Sequence, residues 1–94
     1  MHQPLFKKVS LYQEHNEILP ACHQALQDIY PGIKVRWARI YGRRWAFQYG
    51  DSFGDLPAVK YKINEQMGLI ISNQELIPDQ ELPLVLDTLR KCLL

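Results

Sequence analysis

The amino-acid sequence predicts an α+β fold: a two-layer sandwich of order α-β-β-β-β-α, with both helices on one face of a four-stranded antiparallel meander. Three observations predict it. Apolar residues recur at spacings of three and four between Ser10 and Tyr30, and again between Gln80 and Leu93, as on the buried stripe of an amphipathic helix. Between the stripes the period drops to two, the mark of half-buried strands. Glycines at Gly42 and Gly68 then punctuate the alternating runs where hairpin turns would fall.

Residues 1–94, 47% hydrophobic and 22% charged, have the size and composition of one globular domain. Met1 to Val9 holds Lys7 and Lys8 without the apolar run of a signal peptide. Residues 1–9 are expected to form a poorly ordered or loosely docked N-terminal arm. In the first helix the stripe is Leu11, His15, Ile18, Leu19, Cys22, Ala25, Leu26 and Ile29. Proline in a helix interior costs roughly 3 kcal/mol, so Asn16 is expected as the N-cap, which puts Pro20 in the first turn. Ser10 and Gln13 would cap a preceding turn that joins at a kink, and Pro31-Gly32 ends the helix.

Ile33, Val35 and Trp37 share one face of the first strand, and Trp45, Phe47 and Tyr49 one face of the second. A three-residue loop at Ile40-Tyr41-Gly42 would pair Trp37 with Trp45, Val35 with Phe47 and Ile33 with Tyr49. A two-residue loop would scatter these aromatics over both faces, so the odd loop, with a bulge at Gly42, is expected. Asp51 to Pro57 forms a longer connection. Val59, Tyr61 and Ile63 alternate in the third strand, and Leu69-Ile70-Ile71 is the fourth. A loop at Gln66-Met67-Gly68, with Gly68 left-handed, would pair Ile63 with Ile71 and Tyr61 with Asn73. Asp79 caps the last helix with Pro83 in its first turn, and its stripe is Leu82, Val85, Leu86, Leu89, Cys92 and Leu93.

In this register one sheet face collects Lys34, Arg36, Arg44, Lys60 and Lys62 with no acid, and Arg39 and Arg43 flank the first hairpin tip. The helices carry the opposite sign: residues 10–32 hold Glu14, Glu17 and Asp28 without a Lys or Arg. A formal charge of +1 is thus the sum of a basic sheet and acidic helices, an arrangement that directs an acidic partner to one side. The competing explanation is solvation, since lysines on strands guard sheet edges against aggregation.

Other motifs lead nowhere. Gly50-Asp51-Ser52 is similar to the nucleophile motif of the GDS-type esterases, but no histidine follows His23 to act as a downstream base. Cys22 and His23, adjacent on a helix, diverge by about 100° and cannot share a metal. Cys22 and Cys92 read as small core residues, and Asp51 with Asp55 lacks the ligand density of a calcium site. The helix–sheet–helix order is similar to the α-β-β-β-α of the double-stranded RNA-binding domain. That likeness stops at the order, because Asp79-Gln80-Glu81 stands where that family places a basic helix start.

The sequence therefore predicts a small binding module with no catalytic residues, no metal and no cofactor. Its leading partner is another protein or a second copy on the basic sheet face, and the alternative is a polyanion such as nucleic acid. The candidate face is Lys34, Arg36, Arg39, Arg43, Arg44, Lys60 and Lys62. The longest apolar run is three residues, so no membrane contact is expected and the compartment is cytoplasmic.

Overall fold

The computed structural model describes residues 1–54 and 56–94. Helices α1 (Gln3–Gln13) and α2 (Ile18–Ile29) precede strands β1 (Val35–Tyr41), β2 (Arg44–Gly50), β3 (Val59–Lys62) and β4 (Met67–Ile71). A single 3-10 turn at Gln74–Leu76 leads to α3 (Leu82–Cys92). The α+β class and the antiparallel sheet are as expected, with one more helix at the start.

That helix corrects the expectation of a loose N-terminal arm. Pro4 sits in the first turn of α1, where its missing N–H is no loss. The His2 imidazole does the work of a capping side chain, its Nδ1 accepting from the Leu5 N–H at 3.2 Å. The His2 N–H donates in turn to Thr88 Oγ1 of α3 at 2.8 Å, and Leu5 and Val9 are buried. Asn16 does not cap α2: its side-chain amide donates to the Tyr12 carbonyl at 2.9 Å and closes the end of α1. Leu11 and His15, assigned to the buried stripe, are exposed because the chain breaks between the two helices. Pro20 does lie in the first turn of α2, as expected.

The strand order is β2-β1-β4-β3, so the meander is also corrected. Two hairpins lie side by side through an antiparallel β1–β4 pair, with Val35 opposite Ile71 and Trp37 opposite Leu69. The Asp51–Pro57 connection therefore carries the chain from one edge of the sheet to the other.

The register of the first hairpin differs in a way that matters for the surface. Tyr41 pairs with Arg44 and Ile40 with Trp45, so the loop is the two-residue Gly42-Arg43. Gly42 is left-handed at φ +62° and is the only one of the two with positive φ, the glycine placement of a type II′ turn. Farther along, Ala38 pairs with Phe47 but Trp37 with Tyr49, a β-bulge that leaves Gln48 over. Paired residues share a face. Tyr49 is thus on the side of Trp37, while Trp45 and Phe47 are on the opposite side.

In the second hairpin Tyr61 pairs with Leu69 and Lys62 with Gly68, four positions from the expected partners and so of the same parity. The Asn64 carboxamide oxygen sets this turn by accepting from the N–H groups of Gln66 and Met67 at 2.8 and 2.9 Å. Gly68 is not left-handed; among the described glycines the positive φ values fall at Gly32, Gly42, Gly50 and Gly54.

One apolar core joins Val35, Trp37, Leu69 and Ile71 of the sheet to Leu5 and Val9 of α1, Cys22 and Leu26 of α2, and Val85, Leu86 and Leu89 of α3. Trp37 is fully buried, with its indole N–H unpartnered. At the meeting point of the three helices the Tyr30 hydroxyl donates to Glu81 at 2.6 Å. The same hydroxyl lies 3.1 Å from His2 Nε2. Burial and then the Glu81 carboxylate push the Tyr30 phenol up, and the Tyr30 hydrogen bond holds Glu81 below the usual carboxylate range.

Candidate functional site

Lys34 stands one residue before β1, its N–H donating to the Asn73 carboxamide oxygen at 2.8 Å, and alternation along β1, β3 and β4 brings Arg36, Lys60 and Lys62 to the side of the sheet opposite Trp37. The three strand cations share that face. Arg39 and Arg44 do not join them. Arg39 pairs with Met67 and Ala46, and Arg44 with Tyr41, which puts both on the Trp37 side. Each guanidinium lies 6.0 Å from the Tyr41 ring. Arg43 is in the hairpin turn between the faces.

The bulge in β2 supplies what the sequence reading placed in the core. With Trp45 and Phe47 turned outward, successive rows across the sheet read Gly50–Arg36–Ile70–Lys60 and Phe47–Ala38–Gly68–Lys62. Phe47 is 63% exposed. The Trp45 indole lies across β1 and covers Gly68: a Cβ built on that glycine would be 2.7 Å from Cε3 and closer still to Cζ3 and Cη2. Gly68 is therefore glycine for space, and Ala38 beside it keeps the crossing flat.

Cations sit on these rings. Lys60 Nζ lies 5.4 Å from the centre of the Trp45 ring. The Arg36 guanidinium lies 4.6 Å from the Phe53 ring and 5.7 Å from that of Phe47, within the range of cation–π attraction. Arg36 Nε donates to the Asp51 carbonyl at 3.1 Å, which fixes its plane. Lys62 pairs with Glu65 at 3.1 Å, a solvent-exposed bridge that salt screens. A shallow cavity of about 320 Å³ is bounded by Arg36, Phe47, Gly50 and Ser52. Asp55, the second carboxylate of the calcium pattern, lies outside the described residues.

Among the described residues, no hydrogen bond joins Ser52 to His23 or Asp51. His23 Nε2 is 3.6 Å from Asp51 Oδ2, but that oxygen also receives the Val35 N–H at 3.1 Å and the Gln27 amide at 3.4 Å. His23 Nδ1 is buried without a partner. Burial holds the His23 imidazole below its ordinary pKa, against the opposing pull of Asp51. The Cys22 thiol is pushed up to about 12 by burial and then by Cys92 nearby, so it stays protonated at neutral pH. Among the described residues, no group of three His, Cys, Asp or Glu side chains could hold a metal ion, and no helix is long and apolar enough to cross a membrane. No known protein family, curated protein or solved structure matches the chain.

Proposed function

We propose that the protein is a non-enzymatic binding module whose sheet face, bearing Trp45, Phe47, Arg36, Lys60 and Lys62, takes single-stranded nucleic acid. In this reading the three helices lie on the Trp37 side in a two-layer arrangement, and the Trp45 side is the working surface. The observation that carries it is the approach of cations from β1 and β3 to two outward aromatic rings of β2. Exposed bases stack on aromatic side chains while cations follow the phosphates, and this combination suits unpaired strands of any sequence. A duplex hides its base faces and would leave the two rings without use.

Three or four cations reaching phosphates give a salt dependence of log K on log salt of about −2 to −3, at roughly 0.7 per phosphate for a single strand. Fluorescence anisotropy with labelled oligothymidylate and oligouridylate, from about 25 to 200 mM salt, measures it. Phe47→Ala should weaken binding by about 1–3 kcal/mol, the worth of one stacked base. Lys60→Gln should flatten the salt slope by about 0.7. The exposed Lys7 of α1 is the control, and Lys7→Glu should change neither quantity. Arg90 cannot serve as a control, because its guanidinium holds the Ile63 and Lys62 carbonyls at 3.2 and 3.1 Å.

A second reading, with an acidic protein or a second copy on the same face, draws on Ile40 and Ile70, half-buried apolar residues among the cations. It expects no oligonucleotide binding at low salt and a doubled mass in sedimentation that Phe47→Ala returns to the monomer.

A further inference from the structure

Within the face proposed above, the geometry points to a phosphate subsite in the cleft of Arg36, Ser52 and Phe47, where one phosphate of the strand meets Arg36 and Ser52 while its base lies on Phe47. This inference rests on the nucleic-acid reading and adds to it the position and polarity of one nucleotide.

Three features of the cleft carry it. The Arg36 side chain is already ordered: Nε is spent on the Asp51 carbonyl at 3.1 Å, and the guanidinium plane is held beside the Phe53 and Phe47 rings. A guanidinium fixed in this way presents its remaining N–H donors in a set direction and loses little freedom on binding. Among the described residues, no carboxylate lies within 4.0 Å of it.

The cleft also has the right walls. Gly50 brings backbone to its floor without a side chain, and Ser52 contributes an exposed hydroxyl at its rim. Gly50 cannot be exchanged for a larger residue: its φ is +123°, and a Cβ would lie 2.6 Å from the Val35 carbonyl oxygen. Phe47 is the most exposed of the aromatics on this face and adjoins the guanidinium. A fixed guanidinium with N–H donors to spare, a hydroxyl beside it and an exposed ring next to both suit a nucleoside monophosphate unit. Lys60 sits two strands away, roughly 10 Å across the sheet, and serves the next phosphate beyond Trp45.

The test compares thymidine tetranucleotides with a 5′-phosphate, a 3′-phosphate or neither, titrated into the full chain and followed by amide and arginine Nε–H NMR shifts. One terminal phosphate, and not the other, should tighten binding by roughly tenfold, about what one charge-assisted pair supplies. That gain should vanish in Arg36→Lys and shrink in Ser52→Ala. Lys62→Gln should instead weaken all three oligonucleotides by the same factor. Because Ser52 is exposed, Ser52→Ala keeps the test valid even where Arg36→Lys perturbs folding. An equal gain from both ends, or a gain that survives in both variants, overturns the subsite and leaves the wider face standing. No shift on the face with any oligonucleotide overturns both.

Discussion

Gly68 and Gly42 are both hairpin glycines by sequence, yet they are glycine for different reasons, and the difference is measurable. At Gly42 a Cβ meets nothing within 4 Å, so only the backbone, at φ +62°, resists a side chain. Gly42→Ala should cost about 1–2 kcal/mol, the left-handed penalty. At Gly68 the backbone accepts any residue and the Trp45 ring does not. Gly68→Ala should cost about 1–3 kcal/mol through overpacking, and combining it with Trp45→Ala should recover most of that loss in urea unfolding. Independent, additive losses would contradict the crossing of the sheet by the indole. His23 gives a pH signature of its own. Its folded pKa lies below the unfolded value because burial disfavours the imidazolium, so the unfolded chain binds the proton more readily. The stability linked to it is present above about pH 6.5 and is lost as pH falls through the depressed value. Unfolding midpoints should fall between pH 7 and 5, and His23→Gln should flatten that slope. Depressed carboxylates such as Glu81 act only at lower pH.

At the scale of elements, the sequence was most legible where packing and local chemistry agree. The α3 stripe lies in the core at Val85, Leu86 and Leu89, and Pro20 and Pro83 fall in first turns. α1 escaped notice because its cap is a histidine rather than Ser, Thr, Asp or Asn, and because Leu5, Val9 and Tyr12 make only a short stripe. Leu5→Ala tests its docking: a buried leucine costs about 2–5 kcal/mol, whereas a leucine on a loose arm would cost well under 1 kcal/mol. β2 misled for a physical reason. Trp45, Phe47 and Tyr49 alternate without a break in sequence, but the bulge at Gln48 puts two residues against one and reverses the first pair. The only sequence trace of it is Gly50, whose positive φ follows the bulge. With a loop of two residues rather than three, Arg44 changed faces, while Arg36, Lys60 and Lys62 kept theirs; Arg39 lies on the Trp37 side by alternation along β1 alone.

Across the whole molecule, the two tryptophans fall on opposite sides of one sheet. Trp37 belongs to the core, and Trp45 lies outside with Phe47 among the cations. The basic side was readable from alternation, but its aromatic component was not, because a bulge is a backbone event with little local signature. The two tryptophans also allow the binding proposal to be tested by one measurement. Trp37→Phe removes a buried indole whose N–H has no partner, so no hydrogen bond is lost and Trp45 remains as the sole indole. Titrating that variant with oligothymidylate at low salt should quench the Trp45 emission in a saturable way, and added salt should reverse it as the strand leaves. Emission that stays unchanged while the oligonucleotide is bound, or no binding at any salt, would contradict a strand lying on this face.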